Sequence, residues 1–153
     1  MIQGRFEIPS HRPLIAANVS SGKPIGSQVI GRPGTVSFLA DTGADCSILS
    51  LQDATRLQVD FDLARVDVGI SGLAGRQRYR QANVRVAFYD DEGKLQVYFV
   101  DMSIMSGETY APGSYSVLGR DVMDCWATTF ARCCGRLDAV VYYADFSLPY
   151  SHQ

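Results

Sequence analysis

Apolar residues along this chain come in short runs broken by turn-forming residues, the rhythm of a strand-rich domain. The runs fall at 14–19, 35–40, 66–70, 84–89, 95–104 and 137–144. Within 84–89, Val84, Val86 and Phe88 alternate with Arg85 and Ala87. That period of two predicts a strand with one face in the core, because successive side chains on a strand point to opposite faces. Asp90-Asp91-Glu92-Gly93 follows as a polar turn, so 95–104 is predicted to return as the hairpin partner. Two places break the rhythm. Ser50 with Asp53 three residues later is a capping signal, predicting a short helix to about Leu57, and 119–125 predicts a further helical turn or two. The stretch 106–114, carrying Gly107, Pro112 and Gly113, reads as a polar internal connection. With no repeat, linker or low-complexity tract, the 153 residues predict one domain spanning 1–153. It is expected to be mainly β, with one or two short helices and a core that needs no disulfide or metal.

Charge narrows the partners. A formal net charge of −2 gives no field that would attract nucleic acid or an anionic membrane. Arg76, Arg78, Arg80 and Arg85 form the one local basic cluster, and spacing by twos reads as the solvated face of a strand rather than a nucleic-acid site. No apolar run approaches the roughly 20 residues of a membrane helix. The first residues also lack the unbroken apolar segment of a secretory signal. A cytoplasmic setting is therefore expected. In a reducing compartment Cys46, Cys125, Cys133 and Cys134 are expected to be free thiols, with Cys46 a small core residue. Their spacing is irregular and the histidines, His11 and His152, lie near the ends, which argues against a zinc site. No metal or organic cofactor is implied.

The chemistry concentrates at Phe38-Leu39-Ala40-Asp41-Thr42-Gly43-Ala44-Asp45, where an apolar strand runs directly into Asp-Thr-Gly. A short carboxylate is held at a loop tip, Thr adds a hydroxyl that can be bonded, and Gly admits a close backbone. An ordinary Asx-type turn after a strand would present the same three residues. Two other segments change the weight. Val117-Leu118-Gly119-Arg120-Asp121-Val122-Met123 places two apolar residues and Gly before Arg-Asp at a helix start. Between the two, Gly69-Ile70-Ser71-Gly72-Leu73-Ala74-Gly75 is a Gly-rich turn followed by the strand at 84–89.

In order and spacing these three segments resemble the active-site loop, the second signature and the flap tip of the retropepsins, the single-domain aspartic proteases of retroviral type. The resemblance covers roughly 14–144. It implies a closed, barrel-like, mainly β domain that works as a twofold homodimer on peptide or protein substrates; the charge and the lack of long apolar runs argue for no nucleic acid or membrane partner. It assigns Asp41, Thr42 and Gly43 to catalysis, Thr42 bonding across the twofold axis. Gly43, Ala44, Asp45, Ile48, Gly72, Leu73 and Ala74 are assigned to substrate binding, with apolar side chains accepted near the scissile bond. Asp45 and Arg120 are expected to support the loop as a largely buried ion pair, so that removing Arg120 would cost on the order of 3–5 kcal/mol. The chain departs from the viral enzymes after Cys125, where 126–132, the Cys133-Cys134-Gly135 turn and 137–144 read as a closing hairpin, as in cellular and bacterial relatives.

The stoichiometry follows from chemistry. Aspartic proteolysis needs two carboxylates sharing a proton, because two like charges that close cannot both ionise. The chain has one Asp-Thr-Gly and no Asp-Ser-Gly, so the second carboxylate must come from a second copy. Three functions remain in view: an active endopeptidase, a catalytically silent dimer of the same fold that binds peptides or proteins, and an unrelated small-ligand barrel. Asp41-dependent turnover separates the first two, and dimerisation separates both from the third.

Overall fold

A computed structural model describes residues 1–21, 34–58, 67–72, 75–105 and 114–149. In chain order its elements are β1 (Ile2–Gln3), β2 (Arg5–Phe6), β3 (Pro13–Ser21), β4 (Gly34–Ala40), β5 (Ile48–Leu49) and α1 (Leu51–Arg56). They continue with β6 (Asp67–Gly72), β7 (Gly75–Tyr89), β8 (Lys94–Met105), β9 (Ser116–Leu118), α2 (Arg120–Met123), β10 (Trp126–Ala131), β11 (Arg136–Val141) and β12 (Phe146–Pro149). The expected connection at 106–114 lies outside the described residues except for Ser114.

Alternation builds the wall. In β4, Val36, Phe38 and Ala40 are buried; in β7, Val84, Val86 and Phe88; in β8, Tyr98, Val100, Met102 and Ile104. These faces close on one another because β7 pairs with both β8 and β3. Going round from β8, the order is β5, β9, β4, β3, β7 and back to β8, a closed barrel of six strands. Closure leaves no open edge on those six strands, and their inward side chains fill the interior. The β7–β8 hairpin turns at 90–93 as expected, with Gly93 at φ 73° and its N–H donating to the Asp90 carbonyl at 3.3 Å. β6 extends from β7 as an antiparallel hairpin arm, from Asp67↔Arg80 to Gly72↔Gly75.

Both helices stand where they were expected, at 51–56 and within 119–125. Ser50 caps α1, its Oγ accepting from Asp53 N–H at 3.2 Å, and α1 ends at Leu57. α2 is a single turn after Gly119.

Beyond α2, β10 and β11 form the predicted closing hairpin, turned by one 3-10 turn at Arg132–Cys134 and by Gly135 at φ 67°. β1 adds to β11, giving a separate three-stranded sheet. An aromatic trio joins this sheet to the barrel core. Phe88 and Trp126 meet edge to face at 4.9 Å, and Tyr98 lies 5.8 Å from Phe88 and 5.9 Å from Trp126. Each ring presents its edge to a neighbouring face, the arrangement ring quadrupoles favour. Trp126 Nε1–H donates to the Tyr98 hydroxyl at 2.7 Å, and that hydroxyl donates to the Tyr143 carbonyl at 2.7 Å.

Burial pushes the Tyr98 phenol up to about 12, against the lowering effect of the Trp126 bond. A phenol raised in the folded state stabilises the fold fully below its ordinary value near 10, and the contribution is lost as pH rises toward 12. Tyr98→Phe should therefore cost about 1–3 kcal/mol at neutral pH, because the buried Trp126 N–H and the Tyr143 carbonyl lose their partner. Its deficit against wild type should shrink above pH ~10. Urea unfolding at pH 7 and pH 11 checks both statements.

Candidate functional site

The site is made where β4 leaves the barrel wall. β9 lies between β4 and β5: it runs parallel to β4, with Ala40 opposite Leu118, and antiparallel to β5, with Ile48 opposite Val117. The chain from Asp41 to Ser47 must therefore arch over the end of β9 to re-enter on its other side. That end is where Gly119 begins the turn into α2. The topology alone thus forces the two distant motifs into contact.

The contact is main chain against main chain. Asp41 N–H donates to the Leu118 carbonyl at 3.1 Å, and Arg120 N–H to the Ala44 carbonyl at 2.8 Å. A Cβ on Gly119 would lie 2.6 Å from the backbone carbon and oxygen of Cys46 and 3.0 Å from the Ala44 oxygen. Only glycine lets the strands approach so closely.

At the crest, Asp41 Oδ1 accepts from Gly43 N–H at 2.8 Å, and Ala44 N–H donates to the Asp41 carbonyl at 3.2 Å. By itself this is an Asx-type turn. A Cβ on Gly43 would stand 3.1 Å from Asp41 Oδ1, so a side chain there would crowd the carboxylate. Asp41, Thr42 and Gly43 are all exposed, with the carboxylate carried at the loop tip.

Asp45 and Arg120 do meet across 75 positions, Nη2 to Oδ1 at 2.5 Å. The expectation that the pair is largely buried is corrected: the side chains are 84 % and 52 % exposed. Both lie on the open side of the loop, where an ion pair contributes about 0–1 kcal/mol, and a loss of 3–5 kcal/mol does not follow. A tie to a buried residue of the loop is made instead by the next residue, Asp121, itself exposed, on Ser47. Its carboxylate accepts from Ser47 N–H at 2.8 Å and from the Ser47 hydroxyl at 2.7 Å. The sequence reading missed both residues, although Asp121 stands inside the second motif.

Cys46 is half-buried rather than a core residue, since it sits in the arch and not in the wall. Burial pushes its thiol up, opposite to what a nucleophilic cysteine requires. Tyr79, on β7, is also pushed up, by burial first and then by the nearby Cys46, so the base of the β6–β7 arm adjoins the arch. All four cysteines are free.

Ile48, in β5, is half-buried, and Gly72 ends β6 opposite Gly75. Leu73 and Ala74 lie outside the described residues. Among the described residues no group of three His, Cys, Asp or Glu side chains could hold a metal ion. Nor is any helix there long and apolar enough to cross a membrane.

A family model described as aspartyl protease matches residues 28–122. Curated proteins give no match. Among solved structures, the chain is similar to a retropepsin-like aspartic protease from Rickettsia conorii, with TM-score 0.56, 14 % identity, and 90 % of this chain and 86 % of that chain covered. It is also similar to the EIAV protease complexed with the inhibitor HBY-793, with TM-score 0.45, 20 % identity, and 77 % of this chain and 90 % of that one covered.

Proposed function

We propose, on the premise that this chain belongs to the aspartyl protease family and has the retropepsin-type fold, that it is an endopeptidase whose active site forms between two copies. The observation that carries this reading is a single Asp-Thr-Gly whose carboxylate stands exposed at the tip of a pinned loop. One such carboxylate is half of the machinery, and a twofold axis beside the loop supplies the other half.

In the proposed reaction one Asp41 is ionised and its counterpart is protonated. The ionised carboxylate takes a proton from a water, whose oxygen attacks the peptide carbonyl carbon. The protonated one gives its proton to the carbonyl oxygen. As the tetrahedral diol collapses and the C–N bond breaks, the carboxyl that took the water's proton gives it to the leaving nitrogen, and one diol hydroxyl returns its proton to the other carboxylate. The dyad then holds one proton again. Gly43 N–H fixes one oxygen of Asp41, so the carboxylate is oriented before substrate arrives.

The remaining assignments belong to the same proposal. Thr42 bonds across the axis. Gly43, Ala44 and Asp45 hold the peptide by main-chain bonds, as an added strand. Ile48 lines an apolar side-chain site. Gly72, Leu73 and Ala74 form the flap. The whole of 1–153 acts as one domain, and the four free thiols fit a cytoplasmic setting.

Only paired chains turn over in this scheme. Activity per chain should therefore fall on dilution, in step with the dimer fraction measured by sedimentation. A monomeric species with full activity would refute it.

A further inference from the structure

Ser47 is fully buried and its hydroxyl makes two bonds of opposite sense. Gly119 N–H donates to Oγ at 3.0 Å, so the hydroxyl proton is left for Asp121 Oδ1 at 2.7 Å. Ser47 N–H donates to the other carboxylate oxygen at 2.8 Å. The Ser47 carbonyl accepts from Ser103 N–H, on β8, at 3.1 Å. Ser47 is thus tied to the second motif by three bonds and to the barrel wall by one.

The arch 41–47 contains no helix or strand, and its internal ties, the Gly43 N–H bond to Asp41 Oδ1 and the Ala44 N–H bond to the Asp41 carbonyl, both lie within 41–44. Its shape depends on its two footings. One is Asp41 N–H on Leu118, the other is Ser47 on Gly119 and Asp121, and between them the Ala44 carbonyl rests on Arg120 N–H. We infer that Ser47 and Asp121 act as a clamp that sets where the Asp41 carboxylate stands, making them positioning residues for hydrolysis. The inference rests on reading Asp41 as one half of the dyad. The exposed Asp45–Arg120 pair beside it is a weaker tether, being a single bond in solvent.

Two consequences distinguish a clamp from plain structural support. A carboxylate displaced by a fraction of an ångström binds substrate nearly as before but reacts more slowly. The two carboxylates also feel each other less as they separate, so their two apparent pKa values move together.

The test uses Ser47→Ala, which deletes the hydroxyl, and Asp121→Asn, which keeps the shape but has one acceptor oxygen in place of two. Both should lower kcat by about 10–100-fold with KM changed less than about threefold, and should bring the two limbs of the pH profile together. Asp121→Asn should show the smaller loss, and it carries the test if Ser47→Ala fails to fold. The Asp41 carboxyl resonance, labelled with ¹³C and assigned by its loss in Asp41→Asn, should titrate at a shifted pH in both variants. A lowered melting temperature with kcat, pH profile and Asp41 titration unchanged would overturn the clamp. If wild type cleaves no peptide, the hydrolase reading fails by itself, and the Asp41 titration still decides the clamp.

Discussion

Asp41→Asn is expected to reduce peptide hydrolysis by at least about 10²–10⁴-fold while leaving the fold intact, the loss typical when general acid–base chemistry is removed. The amide keeps the shape of the carboxylate, and its oxygen can still accept from Gly43 N–H, so the turn at 41–43 survives. What disappears is a group able to take and return a proton, from both copies at once. In wild type the singly protonated dyad exists only between its two macroscopic pKa values, which predicts a bell-shaped profile on the acidic side of neutral. Kinetics on a diverse peptide library, with circular dichroism and thermal melting of both proteins, measures the effect. An Asp41→Asn protein that is folded and fully active would remove Asp41 from the mechanism.

Much of the barrel was legible because its strands bury one face. Val84, Val86 and Phe88 against Arg85 is a pattern that only a pleated element explains, and the structure buries those three. The cap at Ser50 was legible for the same kind of reason: helix starts demand particular local chemistry. The strands that escaped notice were those in which periodicity has no room or no cause. β1, β2 and β5 have two residues each, too few for a pattern to repeat. β12 is exposed at all four positions, so it carries no alternation. Its pairing with β8 is a tertiary fact.

At the site, the residues that backbone geometry requires could be read directly. Gly119 has no space for a Cβ against Cys46, and a side chain at Gly43 would press on Asp41. Partnerships between side chains were less legible. Arg120 was expected beneath the loop because its fork suits buried carboxylates, yet Arg120 and Asp121 are both exposed, and it is the Asp121 carboxylate that reaches the buried Ser47. Adjacent residues at the start of a helix point about 100° apart, so choosing the one that meets Ser47 needs the direction from which the loop arrives. That direction is fixed by β9 threading between β4 and β5, which no local window contains. Ser47 was overlooked for a related reason: it is one of many serines until Asp121, 74 positions away, is brought beside it.

A shared site makes inactive chains inhibitory, and this yields the second large effect. Asp41→Asn chains should pair with wild-type chains as readily as wild type pairs with itself, since the substitution leaves the turn unchanged. A mixed pair holds one carboxylate, which cannot be both the acid and the base. When subunits exchange freely at a fixed total concentration, well above that needed for dimerisation, active pairs vary as the square of the wild-type fraction. The measurement that addresses the shared site most directly is peptidase activity across such a mixing series. Half wild type should retain about a quarter of the activity, and one-tenth wild type about a hundredth, by that square law. Activity that falls only in proportion to the wild-type fraction would mean that each chain carries a complete site, and would contradict the account.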